Sequence, residues 1–467
     1  MVFSSIPFLY YFLPITLALY YAVPKFLKNL VLFIASLGFY AWGEPRFVVF
    51  MLFTILQGYI FGLLIEKFRS KKVLKIALTT ASCLISAGLL VYCKYADFFI
   101  KNFNAITGLS IGLLGIALPI GISFYTFQIL SYIIDVARGS ARAQKNPINL
   151  GAYIAMFPQL IAGPIVRYTD VEKQLTDRVY TVYGFALGAR RFVIGLAKKI
   201  LIANQLGELV STFKASSDKS VLFVWIYAIA FALNIYFDFS GYSDMAIGLG
   251  KMLGFDFPEN FNYPFVSKSA TEFWRRWHMT LGSWFRDYIY IPMGGNRVSK
   301  PRWFFNIFVV WLLTGFWHGA DWTFIFWGLF FAVLLVLEKM WYLKKLEKLK
   351  ILPHIYKILF VIISFTIFDS SGLLQGFKTV GQLFGLGGLP LLSTEAVYQL
   401  KSYAVILVLG IIGSTPLIKN AVIKASSTAT GEKVVNIIEP VALLGLLALS
   451  TGYLVDGSFN PFLYFRF

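Results

Sequence analysis

The chain has little of what a soluble enzyme of its length carries. Only 14% of its 467 residues are charged, where a soluble protein would have roughly a quarter. It has two cysteines, Cys83 and Cys93, which fall on one expected helix about 15 Å apart along its axis. They cannot pair with each other, and neither redox work nor metal ligation is indicated. Its three histidines do not stand among further His, Cys or carboxylate groups at ligand spacing, so no metal site is expected. Acids are scarce as well, 23 against 42 Lys and Arg, for a net charge of +19. That surplus does not form a nucleic-acid face, because the bases are scattered through short loops between apolar runs. Such a pattern sets membrane topology and meets anionic lipid; an anionic cytosolic substrate is the other use for it. The glycines at Gly294-Gly295 lack Walker spacing, which leaves nucleotide hydrolysis without a signature.

What the chain has in quantity is apolar length. It is 58% hydrophobic and 18% aromatic, and twelve apolar runs recur along it, near 6–23, 29–43, 47–65, 76–93, 111–134, 192–212, 221–238, 304–317, 323–337, 356–374, 401–418 and 434–454, many of them long enough for a membrane helix. The expectation is an all-α polytopic membrane protein with about 11–12 transmembrane helices, together with re-entrant and interfacial helices. A single integral domain should fill residues 1–467, with N-terminal helices in 1–110, a core in 111–345 and C-terminal helices in 346–467. Base-rich loops at Lys25/Lys28, Lys67–Lys72, Arg138–Lys145, 268–302, Lys344–Lys350 and Lys419/Lys424 should be cytoplasmic. Both termini then lie outside. The first run, Ile6–Val23, has no basic stretch before it and is expected to be a retained helix.

Two regions depart from simple crossings. Residues 148–166 are apolar but interrupted by Pro158, Gly163 and Pro164. A re-entrant hairpin suits them, since irregular backbone at depth must face protein or a cavity. Residues 257–302 mix aromatics with bases and contain no long apolar run. Ser269 and Glu272 match a capping box, and the sequence that follows predicts one interfacial helix carrying Trp274, Arg275, Arg276, His278 and Arg286.

From Phe304 to Leu337 the only ionisable side chains are His318 and Asp321. His318 is sixteen residues beyond Arg302, or about 24 Å of helix, against a hydrocarbon core of about 30 Å. The ring is therefore expected inside the membrane or at its outer boundary. It could be a core imidazole donating to a carbonyl. It could equally be a general base, because burial disfavours the imidazolium and a neutral ring can take a proton from a hydroxyl attacking an activated acyl group. Asp321 is placed to orient that ring if the helix continues, and Gly319 argues that it does not. Asn234 and Asp238, four residues apart, share a helix face. With Trp317 and Asp321 they are candidates to line a polar cavity; a structural pair between Asp238 and an arginine of 275–286 is the alternative. His278 is either an interface anchor or part of a vestibule for an anionic cofactor.

These residues sit within longer strings: LPIGISFYTFQ (Leu118–Gln128), FPQLIAGPIVR (Phe157–Arg167), FDFSGYSDMAIG (Phe237–Gly248), FNYP after Asn260, EFWRRWH (Glu272–His278), WFRDYIYIP (Trp284–Pro292), WLLTGFWHG (Trp311–Gly319) and NPFLYFRF (Asn460–Phe467). Together they resemble the membrane-bound O-acyltransferase family, and within it the bacterial alginate O-acetyltransferase branch. The resemblance implies a core with a central funnel or tunnel, His318 at its narrow part and His278 as a second functional position. It does not require an acid at Asp321. It implies acetyl-CoA as acyl donor, reaching the basic side near Arg275, Arg276 and Arg286, with no permanently bound cofactor. It further implies a polysaccharide acceptor, an extracytoplasmic SGNH-type partner that carries the acetyl group onward, and a bacterial cytoplasmic membrane. Peptidoglycan or cellulose are alternative acceptors. A transporter or flippase of an acylated sugar is the alternative of another class, since broken helices and buried acids occur there too.

Overall fold

In the computed structural model, residues 2–457 are described; the terminal string Asn460–Phe467 lies outside them. They are helical, with no strand among the described residues. Membrane-spanning backbone outside a closed barrel must satisfy its hydrogen bonds within helices. Among the described residues, seven helices are long and apolar enough to cross a membrane: Lys25–Gly43, Val48–Lys67, Lys72–Thr107, Val221–Met252, Trp322–Leu346, Thr394–Gly413 and Ala429–Asp456. Phe8–Ala22 and Leu352–Phe368 are shorter apolar helices. This is a multi-pass membrane protein.

Three of the twelve expected runs are not among these apolar helices. The run at 111–134 is helical only from Ile122, because Pro119 and Gly121, the latter at φ +75°, hold the preceding backbone out of a helix. The run at 192–212 lies within Val182–Ala197, a π-helical stretch Lys198–Asn204 and Gln205–Ala215, so two lysines sit inside it. The run at 304–317 belongs to Lys300–His318, which starts with two bases in its first turn. The broken segment at 148–166 forms Pro147–Ala155 and Phe157–Leu160, and every residue from 150 to 166 is buried. Its irregular backbone thus faces protein, the condition under which such backbone is tolerated at depth.

The chain forms two compact units, one of residues 1–192 with 244–258 and one of 193–243 with 259–467. The second unit holds all the site residues named above. Its core is an aromatic cluster in which Phe273, Trp277, Trp327, Phe331, Phe360, Phe365 and Phe368 are all buried.

Within that unit, Lys300–His318 and Trp322–Leu337 pack with glycines at the crossing. A methyl group at Gly315 would strike the carbonyl oxygen of Phe324, and one at Gly328 the carbonyl oxygen of Trp311. Backbone cannot yield there as a side chain would, and small residues are what allow helices to approach so closely. Gly315→Ala and Gly328→Ala are each expected to cost about 1–3 kcal/mol, read as a lower unfolding midpoint in detergent. Gly445→Ala, whose new methyl meets no atom within 4 Å, should be neutral or stabilising. Equal midpoints in all three variants would show that the crossing is looser than described.

Candidate active site

His318 is the last residue of Lys300–His318 and is buried. Its ring is walled by aromatic rings at steep angles: Trp317 at 5.0 Å, Trp327 at 5.0 Å and Phe368 at 5.4 Å between centroids. Three large rings exclude water from one side of an imidazole and leave it in an apolar setting. The helix stops there. Asp321 is exposed, and its Oδ1 accepts from the Thr323 N–H at 2.8 Å, capping Trp322–Leu337. The orienting partnership considered for Asp321 is therefore replaced by an N-cap, because the extended backbone at Gly319 and Asp321 carries the carboxylate off the helical face.

The interfacial helix expected over 269–286 is broken. Ala270–Arg276 and Met279–Phe285 are separated at Trp277 and His278, and His278 sits at φ +45°. A left-handed backbone at a non-glycine residue is strained, and such strain persists only where surroundings enforce it. They do so here. The buried Asn260 Oδ1 accepts from Thr280 Oγ1 at 2.9 Å and stands 3.0 Å from His278 Nδ1. The Thr280 backbone N–H at 3.4 Å also points to that oxygen, which fixes the amide's orientation. His278 Nδ1 therefore carries the hydrogen, and Nε2, buried and without a partner among the described residues, keeps its lone pair. Phe239 lies edge-on at 4.6 Å and Trp317 at 5.8 Å, so Trp317 touches both histidine rings.

Burial pushes the His278 imidazole down to about 3, and the residue lies outside the candidate spans. A value held below the ordinary 6.5 means that the unfolded chain binds a proton that the folded protein refuses. The ring costs nothing above that ordinary value, and stability declines as pH falls from there toward 3, by on the order of 1 kcal/mol per pH unit. His278→Asn, tolerant of a left-handed backbone, should show a smaller loss of unfolding midpoint between about pH 7 and about pH 5 than the parent. An identical loss would mean that other groups control the acid limb.

The start of Ala270–Arg276 is held by a residue the sequence did not single out. Ser269 Oγ accepts from the Glu272 N–H at 3.0 Å, but Glu272 reaches back to the Lys268 N–H at 2.8 Å, one residue past the Ser269 N–H that a full capping box uses. The stronger anchor is Glu338, fully buried, whose carboxylate accepts from the Ala270 N–H at 2.5 Å, the Thr271 N–H at 2.8 Å and the Tyr356 hydroxyl at 3.0 Å. A carboxylate at a helix start meets the free N–H groups and the positive dipole end. Beyond it Arg275 is exposed, Arg276 pairs with Glu272 at 2.9 Å, and Arg286 pairs with Asp287 at 2.6 Å.

Asn234 and Asp238 both line a polar cavity to which Trp317 and Asp321 do not contribute. Asp238 is paired with Lys199 at 2.5 Å and not with an arginine of 275–286. Lys199 went unnoticed because its signal was small: two lysines inside an otherwise apolar run.

The membrane-bound O-acyltransferase family matches residues 131–371. The probable alginate O-acetylase AlgI of Azotobacter vinelandii is 39% identical over the full length of both chains. This chain belongs to the membrane-bound O-acyltransferase family. The matched segment of this acyltransferase contains His278, His318, Lys199, Asp238 and Glu338. The probable alginate O-acetylase AlgI of Pseudomonas aeruginosa is 42% identical over 83% of this chain and 75% of its own length. The peptidoglycan O-acetyltransferase of Helicobacter pylori is 31% identical over all of this chain and 98% of its own. Full-length similarity to transferases makes a transporter or flippase the poorer account of this O-acyltransferase.

Proposed function

We propose that this membrane-bound O-acetyltransferase takes an acetyl group from cytosolic acetyl-CoA and delivers it to a hydroxyl presented on the other side of a bacterial cytoplasmic membrane, with His318 as general base. The observation that carries the reading is the setting of His318: a buried imidazole at a helix end, walled by three aromatic rings. In such a site a neutral imidazole can accept the proton of the attacking hydroxyl. The hydroxyl oxygen bonds to the acetyl carbon, the carbon–sulfur bond breaks, and the leaving thiolate takes a proton to give CoA thiol. His278, with its free Nε2, is the second functional ring, close enough to share Trp317 with the base. Arg275, Arg276 and Arg286 supply positive charge where the phosphates of acetyl-CoA approach; exposed Arg275 is the most available of them.

The acceptor we favour is an extracytoplasmic polysaccharide of the alginate type, reached directly or through an SGNH-type partner whose serine carries the acetyl group; this rests on the alginate O-acetylase relatives. The peptidoglycan O-acetyltransferase relative supports a cell-wall acceptor as the second reading. Two measurements test this. Purified protein with acetyl-labelled acetyl-CoA should release CoA thiol, and alkali-released acetate should fall in one polysaccharide fraction of cells lacking the gene. If the thiol is not released, the donor assignment fails; if the cell-wall fraction alone loses acetate, the second acceptor replaces the first.

A further inference from the structure

The first unit buries two bases together. Lys28 is 6% exposed and Arg178 8% exposed. The Lys28 Nζ sits over the rings of Tyr20, Tyr21 and Tyr180, at 4.7, 4.8 and 4.4 Å from their centroids. The Arg178 guanidinium stands 5.7 Å from the same Tyr20 ring and 4.5 Å from that of Phe255. Hydroxyl bonds fix two of the tyrosines, Tyr20 donating to the Leu253 carbonyl at 2.7 Å and Tyr21 to the Met252 carbonyl. Asn29 gives its N–H groups to Asn149 Oδ1 and the Leu175 carbonyl, both at 2.7 Å, and so turns its Oδ1 to Arg178 Nη2.

What the cluster lacks is negative charge. No ion pair among the described residues involves Lys28 or Arg178. The acids beside Arg178 and Phe255 in the chain are otherwise disposed: Asp177 is exposed, and Asp256 pairs with Lys251 at 2.5 Å. The charged groups that act on Lys28 are Arg178 and Lys25, both bases. Lys28 is also the first residue of Lys28–Gly43, which starts with no acid in its first turn and no side-chain cap. The positive end of a helix dipole therefore adds to the two cations. Ring faces attract a cation but carry no net charge. Buried charge without a counter-charge is costly, and Arg178 Nη1 is buried with no acceptor among the described residues.

We propose that Lys28 and Arg178 bind a phosphate group, with an anionic phospholipid of the membrane as its source. Phosphate oxygens would accept from Arg178 Nη1 and from the Lys28 ammonium, a guanidinium and a point charge that both suit that group. Basic pockets between membrane helices on the cytoplasmic side bind such headgroups, and Lys25 with Lys28 belongs to the loops that base content assigns to the cytoplasm. The chain leading to Tyr20 and Lys28 is apolar and exposed. Tyr11, Ile15 and Leu19 recur every four residues along Phe8–Ala22, and Phe26 lies between the two lysines. Acyl chains can lie along these side chains, from which a free phosphate would gain nothing. Two uncompensated cations favour an anionic headgroup over a zwitterionic one, whose ammonium they repel.

The test is native mass spectrometry of the full-length protein released from nanodiscs holding equal shares of phosphatidylcholine and phosphatidylglycerol, with unfolding midpoints measured in discs with and without the anionic lipid. Bound phosphatidylglycerol should exceed phosphatidylcholine by about tenfold or more, a selectivity that two bases near a membrane surface supply. Its presence should also raise the midpoint. Lys28→Met loses the charge but keeps a side chain that packs against rings. It should fold in phosphatidylcholine discs with a midpoint at or above the parent's, and lose both the selectivity and the rise. Arg178→Gln should lose the selectivity too. Lys424→Gln, at an exposed base of another base-rich loop, should change neither. Parental selectivity in Lys28→Met or Arg178→Gln, or a loss in Lys424→Gln as large as in Lys28→Met, would overturn the proposal. So would a Lys28→Met midpoint well below the parent's in phosphatidylcholine, which would show the charge to be compensated already. An equal rise with inorganic phosphate in phosphatidylcholine discs would overturn the lipid as source.

Discussion

Replacement of His318 by alanine is expected to reduce acetyl transfer by about 10²–10⁴-fold, the usual contribution of a positioned general base. The protein should still insert and fold, because the ring's visible neighbours are the large side chains of Trp317, Trp327 and Phe368. A loss of packing alone would depress activity through the unfolding midpoint. A loss of the base would not, and the two are separable by rescue. Added imidazole should restore part of the activity of His318→Ala by occupying the space the ring leaves. His318→Gln, which fills that space without a basic nitrogen, should stay inactive and gain nothing from imidazole. Asp321→Asn should retain near-parental transfer, since asparagine caps a helix as well as aspartate and the carboxylate is spent on Thr323. Normal transfer by purified His318→Ala would remove the base from the mechanism.

The second large effect concerns Lys199 and Asp238. Breaking a buried ion pair by removing one partner leaves an uncompensated charge and costs on the order of 3–5 kcal/mol. Lys199→Met and Asp238→Leu should each lower the unfolding midpoint and reduce the amount of protein recovered from membranes. The double substitution should recover much of the loss, since a packed apolar pair is often as stable as the buried ions it replaces. Such a variant would fold with the inner end of its polar cavity made apolar, so a fall in activity there would arise from the cavity and not from instability. Single variants with parental midpoints would show the pair to be solvated.

Much of this was legible in the sequence because the membrane makes composition informative. A stretch such as Val48–Lys67 has one structure available to it in lipid, a helix, so hydropathy alone predicts it. His318 stood out for the same reason: an ionisable group in an apolar stretch is costly and therefore informative. The motifs around it carried the family. Where polarity was mixed, as in 257–302, the backbone path could not be inferred. The break at His278 depends on Asn260, eighteen residues earlier in the chain, whose oxygen gathers Nδ1 and the Thr280 N–H and hydroxyl.

By itself, then, the sequence determined a multi-pass helical membrane protein and its family, and it named the two histidines proposed to act. Each of these follows from local hydropathy or from contiguous strings. Tertiary structure alone decided which charges compensate which: Lys199 with Asp238, Glu338 with the start of Ala270–Arg276, Asp321 with its own helix and not with His318. Buried polar groups must find partners wherever folding brings them, and residues such as Ala270 and Glu338, sixty-eight positions apart, leave no periodic trace in the chain.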